Sequence, residues 1–346
     1  MYLLMQEEGF LSILIDLVPW YNQYKMQPTF FRDLVDSPGV LYVLLALAFV
    51  VFSAGMISRL LRIKYGIEKL REIDKRIDTW WVIWIVVTIA MLVGKVGSTL
   101  LFLGISVLSM NEFLNVAGIR KVDPFAAKIS FLPIPLQYWF VLNYNPDLFL
   151  TVIPVLTIFV FATIFILRQK IDNFITTLGV LHWGQVLTVF SLSHLANLIN
   201  FDDLHTIFVE PLGLMTYLIV LSQANDVFQF IWGKALGRHK ILPLVSPNKT
   251  IEGLLGGIVS TTLLAGVIGP VLTIMPLKAC LFSGAIISLT GFVGDALMSA
   301  IKRDRKVKDF GSFLPGHGGI LDRVDSLVIA APIFFHFYKF YFKSFY

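Results

Sequence analysis

The residues best suited to chemistry lie between positions 295 and 325, where a basic loop joins two long apolar segments. Asp295 precedes this loop, and Asp322 and Asp325 follow it. The loop itself contains a cluster of cations: Lys302, Arg303, Arg305, Lys306 and Lys308. Cationic side chains bind phosphate oxygens, and carboxylates bind divalent metal ions. The combination predicts a site for a phosphate-bearing substrate and a metal.

The spacing of these residues predicts that they converge. Asp295, Ser299 and Lys302 fall at i, i+4 and i+7, which places them on one face of a helix. Asp322 and Asp325 are three positions apart and share a face at the start of the final helix. An ionisable residue at membrane depth is costly and normally faces the protein interior or a wet cavity. We therefore expect these three carboxylates to hold one or two Mg²⁺ ions.

Simpler structural roles for the same residues stay open. Asp322 and Asp325 can cap a helix and pair with Arg323, which is a common arrangement. The cations of 302–308 can form a solvated loop that is attracted to anionic lipid headgroups. Asp295 is harder to explain in this way, because a long apolar run precedes it.

A glycine-rich turn occupies 315–319. Gly318 and Gly319 allow the backbone amides to approach an anion closely, so we predict that this turn contacts substrate. His317 lies inside it. A lone histidine in a loop is more often a hydrogen-bond anchor than a catalyst, and a substrate phosphate is already ionised at neutral pH. We therefore assign His317 to substrate binding.

A second polar stretch, 225–257, interrupts the apolar pattern. Asp226 lies late in an apolar segment, and a glycine-punctuated basic loop follows it. Four side chains after that loop are suited to phosphate or nucleobase contacts: Ser246, Asn248, Lys249 and Thr250. There is no GxxxxGK[ST] loop and no GxGxxG motif, so the soluble nucleotide-binding folds are not supported.

This second stretch also has a purely structural interpretation. Ser-Pro-Asn at 246–248 is typical of a turn. Thr250 can cap the following helix, whose dipole Glu252 would complement. The glycines at 253, 256 and 257 can simply permit close helix packing.

The composition indicates which elements must position these residues. The types AVILMFWYC make up 56% of the 346 residues, and charged residues only 15%, whereas a soluble domain has about 25% charged residues. We predict an all-α, polytopic transmembrane helix bundle with a polar cavity that faces the cytoplasm. The single cysteine, Cys280, excludes an intrachain disulfide and any multi-cysteine metal site.

Apolar segments of about twenty residues predict roughly nine or ten membrane spans. The clear candidates are 39–61, 148–168, 175–198, 211–232, 253–275, 277–300 and 324–343. The stretch 79–109 is too long for one upright helix, so we expect either a break near Lys95 or one tilted helix. The piece 131–143 is another span or a re-entrant segment. We divide the chain into three regions: an interfacial arm at 1–37, N-terminal transmembrane helices at 38–200, and a catalytic region at 201–346.

Lysine and arginine gather in four loops, at 59–76, 168–170, 234–249 and 302–323. The positive-inside tendency places such loops on the cytoplasmic side of the membrane. We therefore expect a multi-pass integral membrane protein whose active-site loops are cytoplasmic, in the inner membrane if the source is bacterial.

Together the two polar stretches closely resemble the phosphatidate cytidylyltransferase family, the CDP-diacylglycerol synthases. The family's C-terminal pattern is met at Ser299, Ile301, Lys302, Arg303, Lys308, Asp309, Gly311, Leu314, Pro315, His317, Gly318, Gly319, Asp322, Arg323 and Asp325. The resemblance covers about residues 222–327. At 227–230 this chain has Val-Phe-Gln-Phe, where many members have an Ala-Tyr-like pair nearby.

The resemblance implies that CTP and phosphatidic acid react to give CDP-diacylglycerol and pyrophosphate, with Mg²⁺ required. Two divalent ions are expected, and a monovalent ion is compatible with the family. Asp295 and Asp322 are the expected metal ligands, followed by Asp325 and Asp226.

The remaining site residues divide between the two substrates. The expected ligands of the triphosphate and lipid phosphate are Lys302, Arg303, Lys308 and Arg323. The expected ligands on the nucleotide side are Ser246, Asn248, Lys249 and Thr250. Further substrate contacts are predicted at Asp226, Ser299, His317, Gly318 and Gly319.

Two other functions stay open on the sequence alone. The first is a CTP-dependent transferase or kinase that acts on another lipid or isoprenoid phosphate. The second is a membrane transporter for an anionic solute, which the missing internal repeat and the carboxylate-rich site disfavour. The expected partners are CTP, phosphatidic acid and the lipid bilayer, with no nucleic acid. A homodimer is compatible with the plentiful apolar surface.

Overall fold

The computed structural model describes residues 37–65, 67–203, 212–314, 316 and 318–343. Nearly all of the expected interfacial arm at 1–37 lies outside these residues, as does His317. The described chain is helical apart from one short hairpin, so the prediction of an all-α polytopic membrane protein is confirmed.

The first three helices are long, and each packs against the next one in the chain. They are α1 (Pro38–Tyr65), α2 (Ile67–Leu92) and α3 (Gly94–Ala117). α1 and α2 are antiparallel, because the indole of Trp84 donates to the carbonyl of Leu44 (3.0 Å) and Ser58 donates to Asp74 (2.6 Å). The long apolar stretch does break near Lys95: α2 ends at Leu92, and Gly94 adopts a φ of +69° that glycine tolerates best.

Shorter helices complete the N-terminal half. In chain order they are α4 (Ile119–Val122), α5 (Pro124–Ile129), α6 (Pro133–Leu142), α7 (Pro146–Thr151), α8 (Thr157–Leu167), α9 (Phe174–Gln185) and α10 (Ser191–Asn197). π-helical turns at Val152–Leu156 and Val186–Phe190 connect α7 to α8 and α9 to α10, and a 3₁₀ turn at Leu198–Asp203 follows. Proline at the first turn starts α5, α6 and α7, where its missing N–H leaves no bond unmade.

The C-terminal half supplies most of the polar residues. Its elements are α11 (Gly213–Leu236), β1 (Lys240–Leu242), β2 (Ser246–Thr250), α12 (Ile251–Leu272), α13 (Leu277–Asp304), α14 (Leu321–Val324) and α15 (Leu327–Lys343). The strands pair antiparallel, with Lys240 opposite Thr250 and Leu242 opposite Ser246. The turn expected at 246–248 is therefore part of a strand. The predicted cap is confirmed, because Thr250 Oγ1 accepts from the N–H of Gly253 at 3.1 Å.

A buried amide ties three of these helices together. Asn225 Oδ1 on α11 accepts from Ser288 on α13 (2.5 Å) and from Thr261 on α12 (3.3 Å). A Cβ added to Gly256 would lie 2.2 Å from Trp232 of α11, so glycine allows α11 and α12 to pack closely. These contacts fix the backbone next to Asp226.

Seven helical stretches within the described residues are long and apolar enough to cross a membrane. They are Pro38–Ile63, Gly94–Ala117, Pro124–Leu142, Pro146–Leu167, Phe174–Phe201, Ile251–Leu272 and Leu277–Asp304. The shorter apolar helix Leu327–Tyr341 follows them. The expected number of nine or ten spans stays a prediction.

Candidate active site

Two cavities meet where Asp226 and Phe230 of α11 face both of them. The small cavity has a volume of about 210 Å³ and lies between α11, β2 and α13. The large cavity has a volume of about 810 Å³ and lies between α2, α11 and the loop that joins α13 to α14. Two adjoining cavities of different chemistry provide places for two substrates.

The small cavity collects the predicted nucleotide ligands. Its lining includes Ser246, Asn248, Lys249 and Thr250, together with Asp226, Gln229 and Asp295. The strand brings these side chains to α13, because Lys249 Nζ lies 2.7 Å from Asp295 Oδ2. Lys249 also lies 4.3 Å from the centre of the Phe292 ring. Ser299 donates to Asp295 Oδ1 at 3.2 Å, as the i, i+4 spacing predicts.

The large cavity combines cations with apolar surface. Its cationic lining residues are Arg76, Lys308 and Arg323, its acidic ones are Asp226 and Asp309, and its apolar ones include Trp80, Val227, Phe230 and Leu314. Within the described chain, Nε of Arg323 is buried without a hydrogen-bond partner. Such a wall fits a phosphate that is attached to an apolar group.

The sequence predicted a common metal site for Asp295 and Asp322, and the two residues do not line a common cavity. Asp295 lines the small cavity, whereas Asp322 is among the lining residues of neither cavity. Asp322 Oδ1 accepts from Lys302 Nζ (2.8 Å), and Oδ2 accepts from the N–H groups of Phe310 (2.8 Å) and Gly319 (3.0 Å). Both oxygens are therefore used in holding the loop. The expected pairing of Asp322 with Arg323 is replaced by this arrangement.

The carboxyl groups of Asp226, Asp295 and Asp325 are close enough to affect one another. Burial, followed by the negative charges of Asp295 and Asp226, raises the pKa of Asp325 well above its usual range. Asp325 accepts from the N–H of Ser326 at 2.9 Å. No group of three or more His, Cys, Asp or Glu side chains among the described residues is arranged to hold a metal ion. Mg²⁺, however, commonly uses one or two carboxylates and completes its shell with water and substrate phosphates. Asp226 and Asp295, which line the same cavity, fit that requirement.

The remaining predicted residues fall into separate positions. Lys308, Gly318 and Arg323 line the large cavity, and Gly319 contributes its N–H to Asp322. Lys302 is buried against Asp322 and is among the lining residues of neither cavity. Arg303 is exposed and donates to the carbonyls of Val245 (3.2 Å) and Val307 (3.4 Å), so it joins the hairpin to the end of α13.

Sequence reasoning missed residues from the N-terminal half. Arg76 and Trp80 of α2 line the large cavity, and Glu112 of α3 accepts from the backbone N–H groups of Ile320 (3.0 Å) and Leu321 (2.9 Å). A signal for Glu112 exists, since it is an acidic residue at the end of a long apolar segment. Arg76 had only the signal of a basic loop.

This chain matches a family profile and several individual relatives. The sequence profile described as "Cytidylyltransferase family" matches residues 74–341. The uncharacterized protein YnbB of Escherichia coli K12 is 38% identical over 311 residues, which is 89% of this chain and 99% of that protein. A phosphatidate cytidylyltransferase of Bacillus subtilis 168 is 42% identical over 120 residues, 34% of this chain and 45% of that protein. One from Staphylococcus epidermidis RP62A is 38% identical over 125 residues, 36% of this chain and 48% of that protein. This chain thus spans about half of the length of these two phosphatidate cytidylyltransferases.

Proposed function

Because this chain belongs to the cytidylyltransferase family and is a membrane nucleotidyltransferase, we propose that it transfers the cytidylyl group of CTP to phosphatidic acid. The products are CDP-diacylglycerol and pyrophosphate. The observation that supports this most directly is the meeting of a small polar cavity and a large cationic and apolar cavity at Asp226 and Phe230. We assign the small cavity to the nucleotide and the large one to the lipid.

The small cavity suits the nucleotide because its donors are varied and closely spaced. Lys249 supplies a cation, and Ser246, Asn248 and Thr250 supply polar side chains from one strand. Nε2 of Gln229 is buried and has no hydrogen-bond partner among the described residues, so it offers an unused donor beside the cavity. Cytosine and phosphate oxygens are acceptors that match these donors.

The large cavity suits a lipid phosphomonoester because it offers charge and apolar contact together. Arg76, Lys308 and Arg323 can donate charge-assisted hydrogen bonds to a phosphate. Trp80 and Phe230 provide apolar surface for the glycerol backbone and the first part of the acyl chains.

The reaction needs positioning and charge neutralisation more than covalent catalysis. An oxygen of the lipid phosphate attacks the α-phosphorus of CTP in line and forms the new P–O bond. The bond from the α-phosphorus to the oxygen bridging to the β-phosphorus breaks, and its electron pair leaves with pyrophosphate. The attacking oxygen is already ionised at neutral pH, so no general base is required. The junction at Asp226 is where the two phosphates would face each other.

We further propose that Mg²⁺ is held by Asp226 and Asp295. Both line the small cavity, and both are hard oxygen ligands of the kind that Mg²⁺ prefers. When bound, the ion neutralises negative charge on the triphosphate. Asp322 is left out of this ligand set, because it is among the lining residues of neither cavity. The loops of this site face the cytoplasm in our proposal, where CTP is available.

The test uses purified protein in vesicles that contain phosphatidic acid, with CTP labelled in its base in one arm and in its γ-phosphate in a second arm. We expect the base label in the lipid fraction and one pyrophosphate released per lipid modified. Transfer of the γ-phosphate in place of the base would identify a lipid kinase and overturn the proposal. Transfer of the base only to another lipid or isoprenoid phosphate would overturn the choice of acceptor.

A matched pair of variants shows whether the small cavity is the nucleotide site. Lys249→Gln removes the cation that lines it, and we expect the KM for CTP to rise about tenfold to a hundredfold. Lys278→Gln changes an exposed lysine at the start of α13 and should leave the kinetics unchanged. Equal kinetics in both variants would remove Lys249 from the site.

A further inference from the structure

We propose that Glu112 is a positioning residue that fixes the wall of the large cavity from the opposite half of the chain. Its kinetic consequence rests on the proposed function, whereas its structural consequence does not. Glu112 exposes only 7% of its surface and accepts from the backbone at both carboxylate oxygens. Within the described part of the chain it has no cationic partner, so its contacts are those of an anchor for the backbone.

The contact joins distant parts of the sequence. Oε1 of Glu112 accepts from the N–H of Ile320 at 3.0 Å, and Oε2 accepts from the N–H of Leu321 at 2.9 Å. Ile320 and Leu321 lie 208 and 209 residues further along the chain. A buried carboxylate is tolerated when backbone donors satisfy it, and these donors in turn lose a partner if the carboxylate is removed.

Asp322 supplies a second anchor beside the first. It accepts from the N–H groups of Gly319 and Phe310. The amides of Gly319, Ile320 and Leu321 are therefore held in succession by two carboxylates from different parts of the chain. This fixes the end of the loop that joins α13 to α14, whose earlier residues line the large cavity.

Two glycines of that loop explain how closely Glu112 approaches it. A Cβ on Gly319 would lie 2.4 Å from Oε2 of Glu112, and a Cβ on Gly311 would lie 2.5 Å from Oε1. Neither glycine has a positive φ, and a side chain at either position would push the Glu112 carboxylate away from its two backbone donors. Gly318 differs, because its φ of +84° makes any side chain strained whatever the space. The Glu112 carboxylate thus accounts for the small residues at 311 and 319.

The first experiment measures amide hydrogen exchange in wild type and Glu112→Gln. The glutamine side chain keeps one acceptor oxygen for two N–H groups, so the amides of Ile320 and Leu321 should exchange about tenfold to a hundredfold faster. Peptides from 251–272 serve as the internal reference and should not change. Unchanged exchange at 320 and 321 would overturn the anchor.

The second experiment tests the contact by suppression, with thermal unfolding and CTP turnover as readouts. In the wild-type background, Gly319→Ala should lower the unfolding temperature and the rate of CTP turnover, because its Cβ meets Glu112. In the Glu112→Ala background the same change should have no further effect, since the obstructing carboxylate is gone. Gly318→Ala is the control and should be harmful in both backgrounds. Additive effects of Gly319→Ala in the two backgrounds would contradict the proposal. If Glu112→Ala does not fold, the exchange measurement on Glu112→Gln decides the proposal.

The kinetic readout separates positioning from general stability. In Glu112→Gln we expect the KM for phosphatidic acid to rise about tenfold, with a smaller change in the KM for CTP. If the amides at 320 and 321 exchange faster in Glu112→Gln but the wild-type protein consumes no CTP, the proposed function is wrong and the anchor stands. Unchanged KM values in an active Glu112→Gln would remove the positioning role and leave the function intact.

Discussion

Lys249 and Asp295 form an ion pair of 2.7 Å that ties the β-hairpin to α13. Lys249 comes from a strand that also contributes Ser246 and Asn248 to the small cavity, and Asp295 comes from a helix that continues into the basic loop. The pair therefore holds the proposed nucleotide ligands against the proposed metal ligand. In our proposal, substrate binding replaces this ion pair: Lys249 then binds the triphosphate and Asp295 binds the Mg²⁺ ion.

Asp295→Asn should nearly abolish cytidylyl transfer. The amide is a weaker ligand for Mg²⁺, and loss of a metal ligand costs several kcal/mol of transition-state stabilisation, which is about a hundredfold or more in rate. Turnover of CTP by the purified variant is the measurement. Asp304→Asn is the matched control, because Asp304 ends the same helix with 72% of its side chain exposed. Wild-type turnover in Asp295→Asn would exclude the metal role of this residue.

Asp322→Asn should affect stability before chemistry. Lys302 and Asp322 are both buried, and removing one partner of a buried pair costs about 3–5 kcal/mol. We expect a clear fall in the thermal unfolding temperature in detergent. Adding Lys302→Met should recover part of that loss, because no unpaired ammonium remains. An unfolding temperature equal to that of wild type would contradict the anchoring role.

Arg76→Ala should weaken the binding of phosphatidic acid and leave the binding of CTP unchanged. Arg76 lines the large cavity but is not among the residues lining the small one. The loss of one charge-assisted contact predicts a rise of about tenfold to a hundredfold in the KM for phosphatidic acid. Arg71→Ala removes an exposed arginine of the same helix and should leave both KM values unchanged. A rise confined to the KM for CTP would exchange our assignment of the two cavities.

Removal of divalent metal should stop the reaction reversibly. Chelation is expected to reduce transfer to background, and added Mg²⁺ to restore it. Asp226→Asn should raise the Mg²⁺ concentration needed for half-maximal rate by about tenfold or more. Undiminished transfer after exhaustive chelation would overturn the metal proposal.

The sequence alone predicted those features that depend on local pattern. Long apolar runs predicted the helices, and the glycines around Lys95 gave the break between α2 and α3 as one of two alternatives, the other being a tilted helix. Thr250 was predicted as a cap from its position before an apolar run. The hairpin was not predicted, because Ser-Pro-Asn has the composition of a turn and the strand is stabilised by only one partner.

Contacts between distant residues could not be predicted in this way. Nothing in the local pattern relates Glu112 to Ile320 or brings Arg76 to Lys308. Likewise, the carboxylates at 295 and 322 both suit a metal by type, and the local pattern does not show that only Asp295 lines a cavity. The loop turns Asp322 towards Lys302 and the backbone of Phe310, which leaves Asp295 beside the hairpin.

The order of synthesis gives the Glu112 contact a consequence for how the protein matures. A ribosome adds Glu112 long before it adds Ile320 and Leu321, so a chain that stops short of position 320 has the carboxylate without its two donors. The contact can close only after the 208 residues that follow Glu112 have been added. The wall of the large cavity is thus completed only when residues 320 and 321 have been made, and a product truncated before them lacks the contact that shapes it.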